Sequence, residues 1–172
     1  MASEVPVQPS EPQAPNLTGT VLALSGLTLS AGTIHVVATV QHLDVRWTLP
    51  FFFAVVGSLQ LGVAWAVYRR PRDRRLLAAA AAGSLVVGVL WLISRTVGLP
   101  FGPEQGRSAI GVSDTIASLQ EFAFAAIALG IVRAPETTER RLAWLASPMG
   151  LRCTFMVLSA TLFTAAIGGH RH

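Results

Sequence analysis

Five stretches of the chain are apolar almost without interruption: residues 17–40, 50–68, 76–97, 112–132 and 151–167. A helix that crosses a bilayer needs about 20 predominantly apolar residues, within a range of about 17–25. The first four stretches meet that length comfortably, and the fifth stands at its short end. Pro50, Pro71, Pro100, Pro103, Pro135 and Pro148 fall between the stretches or at their ends, where helix breakers belong. The pattern predicts an all-α membrane bundle of five, or four, transmembrane helices. The short connections should make successive helices antiparallel. Ladders of small residues, Ala80, Ser84 and Gly88 in the third span and Ala160, Thr164 and Gly168 in the fifth, are expected to let backbones approach closely.

Outside the spans, residues 1–16 carry Pro6, Pro9, Pro12 and Pro15, a spacing of three that matches one edge of a polyproline II helix. They read as a disordered leader or a docking arm. Without a positively charged start, the leader is not expected to be a cleavable signal peptide. Residues 17–168 form the bundle, and 169–172 a tail with His170 and His172.

The polar residues inside the spans change the picture. His35 lies in the first span with His42 just past its end; Asp114 opens the fourth span, and Glu121 lies further in. Each pair is seven residues apart, about 10.5 Å along a helix and only about 20° around it. Antiparallel helices therefore set His35 level with Glu121, and His42 level with Asp114. Gln60 on the second span, Arg95 at the end of the third and Glu104 in the loop that follows can join them as outer partners. Thr28, Gly32, Thr39 and Ser118 continue the same stripes. Ionisable groups at mid-membrane cost about 2.5–3.5 kcal/mol each on insertion scales, so they face the interior with partners.

Two imidazoles and two carboxylates suit a divalent transition metal, zinc or copper, and such sites are built from inward residues of facing helices. Seven-residue spacing does not let both members of a pair bind one ion unaided. The same residues would also serve as hydrogen-bonded pairs that lock two helices, or as a proton path.

Composition narrows the functions open to the chain. Of 172 residues, 52% are hydrophobic and 13% charged, where a soluble domain carries about a quarter charged. A soluble globular protein is excluded. All 13 basic residues are Arg; without Lys there is no retinal or pyridoxal Schiff base and no Walker A lysine. Cys153 is the single cysteine, so no intrachain disulfide or CxxC site exists. No HExxH or GxSxG occurs, His lies at different depths of one span only, against bis-histidine haem, and nothing points to nucleic acid.

Arg69, Arg70, Arg72, Arg74, Arg75, Arg133, Arg140, Arg141 and Arg152 fall on one side of this topology, Arg46, Arg95, Arg107 and Arg171 on the other. The bias places the N-terminus in the cytoplasm and the C-terminus outside a bacterial plasma membrane, with the polar cluster in the outer leaflet.

The residues from Ile34-His35 through His42-Leu43-Asp44, the run Trp91-Leu92-Ile93-Ser94-Arg95-Thr96-Val97-Gly98-Leu99-Pro100-Phe101-Gly102-Pro103 and the Asp114/Glu121 helix resemble a group of small multi-pass membrane proteins of high-GC bacteria. The resemblance covers residues 20–132. It implies a membrane location and carries no catalytic assignment. The expected roles are metal handling, metal sensing or a metal-bearing subunit of a larger membrane complex. The rivals are a non-catalytic accessory subunit, in a complex or homo-oligomer, and a small proton-coupled carrier.

Overall fold

The computed structural model describes residues 18–44, 47–98 and 110–168. These form helices α1 (Thr18–Gln41), α2 (Thr48–Arg69), α3 (Arg74–Thr96), α4 (Val112–Arg133), α5 (Pro135–Leu142) and α6 (Pro148–Gly168), with a 3-10 turn, Ala143–Ala146, before the last. No strand occurs among the described residues. Helices α1 to α4 are each long and apolar enough to cross a membrane. A fifth crossing is reached only by joining Pro135–Ala146 to Pro148–Thr164, two pieces that meet at 85°. The chain is a helical bundle of the multi-pass membrane type. The leader, Glu104 and the rest of the loop 99–109, and the tail 169–172 lie outside the described residues.

Local chemistry sets the boundaries. Asp73 accepts from the backbone N–H groups of Arg75 and Leu76 at 3.0 and 3.1 Å, capping the first turn of α3. Ala134 precedes Pro135, whose ring disfavours helical geometry at the residue before it; α4 stops there and α5 begins at the proline. The same device recurs at Ser147-Pro148. Ser147 is extended (φ −70°, ψ 158°), and its hydroxyl accepts from Gly150 N–H at 3.1 Å to start α6. That is the origin of the bend. The amphipathic α5 is a helix that the apolar pattern did not announce, because it is too short and polar to read as a span.

α1 is the hub: it packs along α2 on one side and α4 on the other, while α3 lies against α4. α2 and α3, although joined by a tight turn, share few contacts. α1 and α2 approach closely where Gly32 meets Gly57. A Cβ on Gly57 would stand 3.1 Å from Gly32 O and 3.2 Å from the His35 Cβ. On α3, Ala81, Ser84 and Gly88 form the buried stripe, and a Cβ on Gly88 would stand 2.8 Å from the Phe122 ring. The third-span ladder thus works as expected, with Ala81 in place of the half-buried Ala80. The one expected in the fifth does not: Ala160 is exposed, and Thr161 turns inward instead.

The main apolar core, Leu24, Val67, Leu77, Ala81, Phe124, Ala125, Ala128 and Ile131, fills the end of the bundle nearest the α2–α3 turn. A smaller cluster of Ile34 and Ala117 lies toward the other end. The arginine-rich connections gather at the first of these ends. Arg72 of the turn donates to Glu139 of α5 at 3.0 and 2.8 Å, and Arg74 donates to the Val132 carbonyl at the end of α4.

Candidate polar centre

Between the two apolar clusters, four helices direct polar side chains inward. His35 on α1 is 8% exposed, Gln60 on α2 7%, Glu121 on α4 3%, and Ser84 on α3 is also buried. These values matter because a carboxylate and an imidazole so enclosed must find partners in protein. Gln60 Nε2 donates to Glu121 Oε1. Gln60 Oε1 is buried with no donor. The helix below is pinned by Thr28, whose hydroxyl donates to the Gln60 carbonyl at 3.3 Å.

His35 Nδ1 lies 2.9 Å from the Ala31 carbonyl of the preceding turn. In the neutral ring that contact requires Nδ1–H, which leaves a lone pair on Nε2. His42 repeats the arrangement one layer out, with Nδ1 at 2.8 Å from Ala38 O. Phe53 of α2 packs between the two imidazoles, its centroid 5.9 Å from His35 and 5.3 Å from His42.

The four residues expected as metal ligands therefore separate into two layers. Of the first pair, Glu121 is hydrogen-bonded to Gln60 of α2, while His35 sits at the α1–α2 crossing, its Cβ 3.2 Å from where a Cβ on Gly57 would stand; Gln60 is thus a direct partner of Glu121 rather than an outer one. In the second layer Asp114 pairs with Arg95 at 2.5 Å, as its charge demanded, rather than with His42. Among the described residues no three His, Cys, Asp or Glu side chains converge as a metal ion would require.

Two further interactions had little signal in the sequence. Gln120, beside Glu121, donates to Ser30 of α1 at 2.9 Å and is buried. It was hidden in a polar pair at the middle of an apolar span. Glu139 is buried at 2% exposure and held by both guanidinium donors of Arg72; the carboxylate raises the Arg72 pKa above its ordinary value by accepting those bonds. A carboxylate flanked by arginines in a short connection reads as a solvated charge, which concealed its structural part.

No family profile, curated protein or solved structure matches the chain.

Proposed function

We propose that the chain is a plasma-membrane protein whose His35–Gln60–Glu121 centre takes up a proton, coupling protonation to the state of the bundle as a small carrier or the proton-responsive subunit of a complex. The observation that carries this reading is the buried Gln60 Oε1, left without a partner while the same amide donates to the Glu121 carboxylate beside the α1–α2 crossing that holds His35. With neutral His35 and ionised Glu121, acceptors outnumber donors in this buried layer: an imidazole lone pair, Gln60 Oε1 and the carboxylate oxygens against the Gln60 amide N–H groups. A proton corrects that count and cancels the buried charge. The arginine bias supports an orientation with the N-terminus and the α2–α3 turn in the cytoplasm, which puts the Arg95–Asp114 layer toward the outer face. The packed block around Phe124 then lies between the centre and the cytoplasm.

A divalent zinc or copper ion is the second reading. It is favoured by the same acceptor set, His35 Nε2, Gln60 Oε1 and Glu121, a nitrogen and oxygen donor group that suits either metal. Both readings meet one experiment on the full-length protein in nanodiscs. Proton uptake is followed on acidification from about pH 9 to about pH 4, a range that brackets the ordinary imidazole and carboxyl values. Metal content is measured after exposure to zinc and copper. Uptake that falls by about one proton relative to wild type in His35→Ala or in Glu121→Gln, without stoichiometric metal, is the expected result. Stoichiometric metal lost in either variant would instead establish the metal site. Neither uptake nor metal would leave the centre as helix packing alone.

A further inference from the structure

We propose that α5 and the 3-10 turn after it form a ledge at the arginine-rich end that binds the phosphate headgroup of an anionic phospholipid. The inference stands apart from the polar centre and needs only the membrane character of the bundle.

The ledge is made by the bend before Pro148. α6 packs beside α1 and α4, and the segment Pro135–Ala146 meets it at 85°. A segment so turned lies across the end of the bundle, in the plane of the membrane surface. Amphipathic helices with arginines on their outer face bind lipid headgroups there. α5 is divided in that way. Glu139 is buried, and Thr138 and Leu142 are half-buried against the bundle, while Glu136, Thr137, Arg140 and Arg141 are exposed. The inner side fits closely: a Cβ on Gly19 of α1 would collide with the Leu142 carbonyl. Trp144, in the turn that follows, is 56% exposed, as suits an aromatic ring at headgroup level.

Two contacts draw further arginines to the same place. Arg72 of the α2–α3 turn donates to Glu139, and Arg74 at the start of α3 donates to the Val132 carbonyl at the end of α4. They seat that turn against the corner where α4 gives way to α5. Arg70, Arg75 and Arg133 of this corner are exposed, as are Arg140 and Arg141. The nearby acids are already engaged: Asp73 caps α3, and Glu139 holds Arg72. Only Glu136 is left. Among the described residues no ion pair forms with it or with any of these arginines. Arg69 lies instead over the Trp65 ring, 5.3 Å from its centroid.

Positive charge without counterions calls for an anion, and the kind of cation narrows which one. Every cation here is a guanidinium, whose parallel N–H donors match two oxygens of a phosphate, where an ammonium would act as a point charge. The bilayer supplies phosphate at the level of the ledge. An anionic phospholipid adds the net charge that a zwitterionic one lacks, so it is the headgroup this surface selects.

The test uses the full-length protein, with association constants for phosphatidylglycerol and phosphatidylcholine read by native mass spectrometry. Each basic residue near an anionic surface strengthens binding about fivefold. Phosphatidylglycerol should therefore bind more tightly than phosphatidylcholine. In Arg140→Gln/Arg141→Gln, whose native side chains make no hydrogen bond or ion pair among the described residues, its constant should fall at least about fivefold. The constant for phosphatidylcholine should change less. Glu136→Gln removes the idle acid and should raise the phosphatidylglycerol constant. Equal binding of the two lipids, or an unchanged constant in the double variant, would overturn the proposal. Displacement by an equal concentration of glycerophosphate would also overturn it, by assigning the site to a soluble phosphate. Residues 1–16 carry Glu4 and Glu11; a preference that emerges only when they are removed would make that segment, not a lipid, the occupant of the ledge.

Discussion

Toward the arginine-rich end of the bundle, Leu24, Val67, Leu77, Phe124 and their neighbours pack carbon against carbon, and the unpartnered buried side-chain atoms described there are the hydroxyls of Thr20 and Ser25. From Gln60 toward the other end, contact between helices runs through amides, an imidazole, carboxylates and a guanidinium; Gln60 Oε1, Gln120 Oε1, Arg95 Nε and Trp91 Nε1 are all buried without partners. A small hydroxyl can rotate to a carbonyl of its own helix. A fixed amide or guanidinium cannot adjust so cheaply, and its unmatched atoms mark a place where a proton, ion or rearrangement is useful. The comparison teaches a division of labour: one half joins the helices by apolar packing, and the other keeps polar groups with unsatisfied capacity.

The most severe way to break that comparison is to open the apolar half. Phe124→Ala removes one of the largest fully buried side chains. In water such a change costs about 3–5 kcal/mol. The low end applies here, because a helix separated within lipid still keeps its phenyl ring in hydrocarbon. Unfolding in mixed detergent should therefore show a loss of about 3 kcal/mol, with proton uptake at His35 retained below the new melting temperature. A loss under about 1 kcal/mol would show that stability does not reside in this half.

A smaller effect is expected at the seam between the halves. Gly57→Ala would press a methyl group against Gly32 O and the Cβ of His35, 3.1 and 3.2 Å away. Such overpacking typically costs about 1–3 kcal/mol. Because His35 rides on the displaced segment, its imidazole signal should shift while that of His42 moves less. Equal shifts at both would mean that the crossing does not position the centre.

Much of this arrangement is legible in residue spacing, and the omissions have physical causes. The four long spans follow from length and apolarity, and their ends from Asp73, Pro135 and Pro148. The seven-residue intervals put imidazoles and carboxylates on facing helices but do not fix their register: Ser30 meets Gln120 and Ile34 packs with Ala117, which sets Glu121 nearer the level of Leu29 than of His35, about 9 Å along the axis. What the spacing does not contain is the rotation of α2 about its own axis. That rotation turns Gln60 onto the Glu121 carboxylate, and it goes with the Gly32–Gly57 approach, which a lone glycine in an apolar run does not advertise. The pairing of Asp114 with Arg95 was legible from charge; its consequence, that His42 is left to Phe53, was not. Similarly, α5 is short and polar, and its place is set by the Arg72–Glu139 contact between segments 67 residues apart, beyond the reach of any local pattern.

The smallest expected effect sharpens the account of the polar half. The Gln120–Ser30 hydrogen bond joins α1 to α4 one residue from Glu121 and is buried like the centre itself, yet Gln120 Oε1 also lacks a donor. If the polar half chiefly served stability, Ser30→Ala should be expensive. Hydrogen bonds between transmembrane helices contribute only about 0.6 kcal/mol on average and up to about 1.7, since separated helices in lipid find other partners. Ser30→Ala should therefore lower stability by about that amount, several-fold less than Phe124→Ala, and leave proton uptake unchanged. A loss matching that of Phe124→Ala would make the polar half a structural lock. A small loss accompanied by changed proton uptake would instead extend the centre to Gln120, whose backbone continues directly into Glu121.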